Sequence, residues 1–224
     1  MSYLIRFHSD WFRVKEFFKD FWLYWRRPHF AKEHIKFLLA YLGQNPFRIS
    51  RTFLEKRGEE DLYAYGETPL TVLEEICDAF DVKAKERVYE IGCGRGLTCL
   101  WLRHVRGCKV TGVDFVPAFI AKAKSFEDAD LKYVLEDYTR LSYENADVVY
   151  LYSYSDTEPL AETLLTLRKG AKVITVSFPI SDLDPKNFDL VSHIPVLMPW
   201  GEASVYLSLK KTASSKESAL PQQP

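Results

Sequence analysis

The stretch Arg87-Val88-Tyr89-Glu90-Ile91-Gly92-Cys93-Gly94-Arg95-Gly96-Leu97 constrains the fold more than any other part of the chain. An apolar run bearing one carboxylate passes into a turn with glycine at every second position, and Leu97-Thr98-Cys99-Leu100-Trp101-Leu102 follows. The pattern predicts a buried strand, a turn too tight for side chains, and a helix. A helix that starts from such a turn offers free backbone N–H groups and the positive end of its dipole. Glu90 adds a negative charge beside that opening. Donors together with a carboxylate suit a ligand carrying both an acid and an ammonium group. That is an amino-acid-bearing nucleotide rather than a pyrophosphate.

Strand and helix signals then alternate: strand 87–91, helix 96–106, strand 109–113, helix 116–125, strand 131–135, strand 147–152, helix 158–168 and strand 172–177. Alternation with short connections predicts a parallel sheet covered by helices on both faces. The end of the chain differs. Phe188 to Pro195 and Ser204 to Lys210 read as extended segments joined by a loop holding Pro199-Trp200-Gly201, an antiparallel pair that closes the sheet.

Ahead of this lies a charged, aromatic-rich region, residues 1–60, without strand alternation. Trp11, Val14, Phe18, Phe21, Trp22 and Trp25 recur at helical spacing, with Arg13, Glu16, Lys19 and Asp20 between them. Such a helix packs on the main domain or on a second copy, or lies at a membrane surface with Arg26-Arg27 at its polar edge. A second helix is expected from His34 to Leu42, stopping at Gly43 and Pro46, and a third from Ile49 to Gly58. Thr68-Pro69 reads as an N-cap with proline at the first helical position, opening a helix to about Phe80. Three parts result: a helical extension (1–60), the main domain (61–211) and a polar, proline-bearing tail (212–224) expected to be disordered.

Lys+Arg number 30 against Asp+Glu 31, which disfavours a strongly electrostatic nucleic-acid binder. Cys77, Cys93, Cys99 and Cys108 lack metal-like spacing and read as reduced thiols of a cytoplasmic protein. The five histidines are scattered, so no metal is assigned. No apolar h-region begins the chain, and no segment approaches the ~18–20 uncharged residues of a spanning helix. A soluble protein, or one peripheral at a membrane surface, is expected.

The glycine turn has partners. Lys109-Val110-Thr111-Gly112-Val113 ends in Asp114, eighteen residues beyond Gly96. An acid at that strand end accepts hydrogen bonds from ribose hydroxyls in doubly wound sheets, although a helix N-cap needs the same residue there. Glu136-Asp137 after the third strand borders the crevice where an adenine amine needs an acceptor. Leu97 stands where the dinucleotide fingerprint requires Gly or Ala, so NAD and FAD fit poorly, and no Walker lysine is present.

Glu90-x-Gly92-x-Gly94-x-Gly96, Val113-Asp114 and Glu136-Asp137 resemble the class I, seven-strand S-adenosylmethionine-dependent methyltransferases over roughly residues 65–210. The resemblance implies an α/β, Rossmann-like seven-strand sheet, mostly parallel with an antiparallel C-terminal pair, plus the helical extension. It implies that Gly92, Gly94 and Gly96 hold the methionine part of S-adenosylmethionine and that Glu90 reaches its ammonium group. Asp114 would hold the ribose and Asp137 the adenine amine, with Tyr65, Thr68, Phe115 and Tyr138 completing the cofactor set. A narrower likeness, through Tyr65-Gly66-Glu67-Thr68-Pro69, Ala146 to Tyr152 and Gly201 to Leu207, is to the mitochondrial-type lysine methyltransferases.

The acceptor is less legible. The Asp/Asn-Pro-Pro-Tyr box of some amino-group methyltransferases is replaced by Leu151-Tyr152-Ser153-Tyr154. Tyr152, Ser153 and Tyr154 are the substrate-facing candidates, since strand ends line the crevice and tyrosine hydroxyls orient an amine without a strong base. Ordinary strand packing is the competing reading of both tyrosines. The expected acceptor is a protein side-chain amine, lysine slightly favoured, or a small-molecule amine. A cofactor-binding protein without transferase activity and a nucleotide-dependent oxidoreductase are the rival readings.

Overall fold

The computed structural model describes residues 18, 19, 24, 27–152 and 158–211. The aromatic helix read at 11–25, the tail from 212, and Ser153 and Tyr154 therefore fall outside the described residues, apart from isolated positions.

Helix α1 (Pro28–Ala40) begins earlier than expected, because Pro28 serves at its first turn, where a missing N–H costs nothing. Helix α2 (Pro46–Arg57) is capped by Asn45, whose side chain accepts the Arg48 N–H at 3.3 Å. Helix α3 (Leu70–Ala79) precedes the sheet. Then come β1 (Arg87–Ile91), α4 (Leu97–Trp101), β2 (Lys109–Asp114), α5 (Pro117–Ala123), β3 (Leu131–Leu135), β4 (Val148–Leu151), α6 (Glu158–Thr163), β5 (Lys172–Val176), α7 (Ile180–Leu183), β6 (Phe188–Met198) and β7 (Gly201–Lys210).

Among the described residues these strands form one seven-stranded sheet in the order β3-β2-β1-β4-β5-β7-β6. β1 to β5 pair in parallel, while β7 runs antiparallel to β5 and to β6. The order reverses between β1 and β4, and a crevice opens outside the carboxyl ends of strands at such a switch point. Glu90 sits in the middle of it, paired in register with Gly112 of β2 and Tyr150 of β4.

Four local expectations are corrected. The helix read at 96–106 is α-helical only to Trp101 and continues as a π turn, Leu102–Arg106. The helix read at 158–168 ends in a 3₁₀ turn, Leu164–Thr166. The loop placed between Pro195 and Ser204 is mostly strand: Met198 pairs with Gly201, leaving Pro199-Trp200 at a tight hairpin tip. Pro195 did not end the strand because β6 is the sheet edge, where a missing N–H breaks no ladder bond. Finally, Pro69 rather than Thr68 occupies the N-cap of α3, and the Thr68 hydroxyl turns inward.

One face of the sheet carries the larger core. Phe30 and Phe37 of α1 are fully buried there with Trp101 and Phe119, and Tyr24 meets the Phe30 ring edge-on at 5.1 Å. Residues 28–41 therefore complete the main core rather than decorate it. The opposite face is closed by Tyr143, Leu160, Leu164 and Phe188.

Candidate active site

After β1 the chain turns through Gly92, Gly94 and Gly96, all at positive φ (72°, 54° and 82°). Space as well as backbone angle demands glycine at the last two. A Cβ on Gly96 would lie 2.4 Å from the Tyr133 ring, and one on Gly94 would lie 2.9 Å from the Tyr65 ring. Tyr133 is pinned there because its hydroxyl donates to the Gly96 carbonyl at 2.9 Å.

The turn was expected to offer free N–H groups, but it spends most of them on the end of β2. Gly92 and Cys93 both donate to the Val113 carbonyl (2.8 and 3.0 Å), Gly96 donates to Cys93 (2.8 Å), and Gly94 donates to the Asp114 carboxylate at 2.8 Å. Asp114 accepts a second backbone N–H, from Val116, at 2.8 Å on its other oxygen. It therefore ties the turn to the start of α5 without being that helix's N-cap, which is Val116. A carboxylate has about four acceptor positions, so Asp114 retains acceptor capacity for a ligand. Burial raises the Asp114 carboxyl above its usual value, against the pull of those N–H groups.

Glu90 is 5% exposed. The Thr98 hydroxyl donates to one oxygen and the Cys99 thiol donates to the other, at 2.9 Å. Neither partner is charged. Burial pushes the Glu90 carboxyl up to about 7, with the two hydrogen bonds working the other way. A buried carboxylate lacking a countercharge is costly, and a ligand ammonium placed beside it would supply one. The residues present thus fit an amino-acid-bearing ligand. Cys93 is no nucleophile: it is buried, with its thiol pushed up to about 11 by that burial.

A strap, residues 65–68, lies over the turn. Arg95, inside the glycine turn, donates through Nε and Nη2 to the two Glu67 oxygens, each at 2.6 Å, and through Nε to the Tyr65 hydroxyl at 3.2 Å. Its guanidinium also sits 4.9 Å from the ring centres of both Phe37 and Tyr41, so α1 braces the same knot. Further along, the Thr68 and Tyr150 hydroxyls hydrogen-bond each other.

The remaining sequence candidates fall around these carboxyl ends. Phe115 follows Asp114, 39% exposed, with its ring 5.6 Å from Phe53 of α2 and the Arg57 guanidinium 5.3 Å above it. Asp137 is exposed, and its carboxylate accepts from the Thr139 N–H (3.0 Å) and hydroxyl (2.8 Å), which hold it below the usual carboxylate range. The Glu136 N–H donates to the Asp114 carbonyl at 3.2 Å, so the β3 end is tied beside the β2 end. Tyr138 is half-buried.

At the end of β4, Tyr152 is half-buried and accepts the Trp200 indole N–H at 2.7 Å. A Cβ on Gly66 would lie 2.4 Å from its ring. The strap, β4 and the β6–β7 hairpin tip therefore meet at one aromatic corner. Sequence reasoning missed Glu67, Arg95 and Trp200. Arg95 was visible inside the turn motif, but its pairing with Glu67, 28 residues away, had no local signal, and neither did Trp200. Among the described residues no group of three or more His, Cys, Asp or Glu could hold a metal ion.

Residues 88–175 match the family model of the methyltransferase domain. No curated protein sequence matches the chain. Among solved structures, an RNA methyltransferase from Salinibacter ruber in complex with S-adenosyl-L-homocysteine is similar, with 19% identity, a TM-score of 0.57, and coverage of 70% of this chain and 98% of that one. A variant of MtNAS in complex with S-adenosylmethionine has 17% identity, a TM-score of 0.56, and coverage of 83% and 76% respectively. The cyclase SpnF has 13% identity, a TM-score of 0.51, and coverage of 63% and 80%. At these identities the likeness establishes the fold. The match to the methyltransferase-domain model falls on β1 to β5 of a seven-strand, Rossmann-like methyltransferase fold.

Proposed function

We propose that this chain binds S-adenosylmethionine at the carboxyl ends of β1 to β3 and transfers its methyl group to an amine, with a protein lysine slightly ahead of a small-molecule amine. Glu90 carries the reading. It is a buried carboxylate at the strand switch point whose partners are a hydroxyl and a thiol, and the missing countercharge matches the cofactor's ammonium group. Asp114 would take the ribose hydroxyls, and Phe115, Asp137 and Tyr138 would frame the adenine. Tyr65 and Thr68 would close the methionine end, held down by Arg95 and Glu67. When bound, the cofactor supplies an activated methyl group on a sulfonium.

Positioning supplies most of the acceleration such a transfer needs. The Tyr152–Trp200 corner offers two aromatic faces and one hydroxyl, which suit a cationic amine on arrival and orient its lone pair once the proton has left to water. The likeness of the strap and of β4 to the mitochondrial-type lysine methyltransferases supports lysine over a small amine. A cofactor binder without transferase activity is the second reading, favoured by the closed strap lying on Gly94.

Calorimetry should show S-adenosylmethionine binding and no NAD binding; tight binding of NAD alone would sink the assignment. Asp114→Lys should abolish cofactor affinity, and a variant that binds normally removes the ribose role. Methyl-label transfer into lysate proteins and a panel of small amines then separates the transferase from the silent binder.

A further inference from the structure

Helix α1 is apolar on two faces. Phe30 and Phe37, with Tyr41 at the C-cap, fill the core, while Ile35, Leu38 and Leu39, continued by Leu42 in the turn that follows, are exposed. Leu39 is 63% and Leu42 76% exposed, so the outer stripe is not a fringe of the core. A continuous exposed aliphatic stripe of this kind marks a contact surface.

What lies next to it indicates the partner. Directly after Leu42, Gly43, Gln44 and Asn45 enter a groove of about 570 Å³ between α2 and residues 116–118. Arg48 and Lys56, two turns apart on α2, line that groove and form no ion pair among the described residues. The other two basic residues of α2 do: Arg51 pairs with Glu55 at 2.8 Å and Arg57 with Glu59 at 2.9 Å. The helix therefore neutralises the cations outside the groove and leaves those inside it open. Lys32, exposed on α1, adds another positive charge on the polar side of the stripe.

We infer that this surface docks on an anionic phospholipid bilayer, with the aliphatic stripe entering the interface and headgroup phosphates meeting Arg48 and Lys56. A second copy fits less well. A two-fold dimer would bring the unpaired cations of both copies to one interface, and one helix stripe falls short of the ~800 Å² per partner of a stable interface. The groove's far wall follows directly on Asp114 and Phe115, so the bilayer would border the mouth of the crevice. The inference does not rest on methyl transfer. Among the described residues no helix is long and apolar enough to cross a membrane, and the contact is peripheral.

Co-sedimentation of the full chain with phosphatidylglycerol and with phosphatidylcholine vesicles tests this. Binding should favour phosphatidylglycerol and weaken as salt rises. Leu39→Asp/Leu42→Asp should abolish it, and Arg48→Gln/Lys56→Gln should weaken it roughly thirtyfold, from about fivefold per basic residue. Arg51→Gln, at a cation already paired, should leave it unchanged. Inorganic phosphate equal to the lipid phosphorus should not displace the protein; displacement would make the groove a free-anion site and overturn the inference. Equal binding to both vesicle types, no binding, or a light-scattering dimer that the aspartate variant dissolves would also overturn it. Cofactor binding by calorimetry reads the crevice separately, so failure of either proposal is seen without the other.

Discussion

At the carboxyl ends of β1 and β2 the crevice is shaped by backbone and by buried carboxylates; at the end of β4 it is shaped by side chains from three distant segments. The first region uses glycines at positive φ, a strand register that centres Glu90, and Asp114 tied to two backbone N–H groups. The second uses a hydrogen bond between Tyr152 and Trp200, 48 residues apart, with Gly66 packed beneath. Backbone constraint tolerates little change in residue type, whereas an aromatic corner can be rebuilt to suit different acceptors. One fold can in this way keep a ligand and change a reaction partner.

The sharpest way to break this contrast is Gly96→Ala. The new methyl would meet the Tyr133 ring at 2.4 Å, in a backbone conformation (φ 82°) that disfavours any side chain. Tyr133 is buried and bonded to the same residue, so it cannot simply swing away. Strain and overpacking together should cost about 3 kcal/mol or more, with cofactor binding lost. Denaturant unfolding and calorimetry measure both. Stability within about 0.5 kcal/mol of wild type would show that the turn is looser than its contacts imply.

Glu90→Gln is the next largest test, and it is read through pH. In the fold the Glu90 carboxyl titrates at about 7 against an ordinary 4.5. The native state therefore keeps a proton that the unfolded chain releases between those values. Glu90's contribution to stability is fully present at or below about 4.5, falls as pH rises, and is lost above about 7, by up to a few kcal/mol. Asp114, also raised by burial, adds a fall of the same sign from its own lower starting value of 3.8. The informative quantity is thus the difference between wild type and Glu90→Gln, which should vanish below the window and favour the variant at pH 8. Saturating S-adenosylmethionine should shrink that difference by supplying the ammonium countercharge. Parallel stability curves would mean that Glu90 is already compensated in the free protein.

The same contrast explains what was legible in the sequence. Strands 87–91 and 131–135 were readable to the residue because apolar runs bounded by glycine or acids leave one register open. Glu90, Asp114 and the three glycines were readable because turn geometry restricts residue type locally. The hairpin tip was not: Pro195 looks like a strand terminator until its place on the sheet edge is known, and that is a property of topology. Thr68 was misread as a cap because its true partner, Tyr150, lies 82 residues away. Arg95 and Glu67 look like two surface charges in the sequence. Only the fold brings them together and sets α1 against them, so the knot joining the extension to the turn has no local signature.

The smallest predicted effect tests the acceptor side. Trp200→Phe keeps an aromatic ring at the hairpin tip and removes the N–H donated to Tyr152 at 2.7 Å. Because Trp200 is 53% exposed, water can replace the lost donor, and the stability change should stay under about 1 kcal/mol. If the corner receives the acceptor, KM for the amine identified by label transfer should rise by roughly five- to tenfold, equivalent to about 1 kcal/mol. The S-adenosylmethionine dissociation constant, set at the far end of the crevice, should not move. Tyr152→Phe removes the other half of the same hydrogen bond and should reproduce the KM change, with little added in the double variant, as expected for two groups acting through one contact. A shift in cofactor affinity matching the shift in KM would erase the distinction between the two ends, because the corner would then be part of the cofactor site.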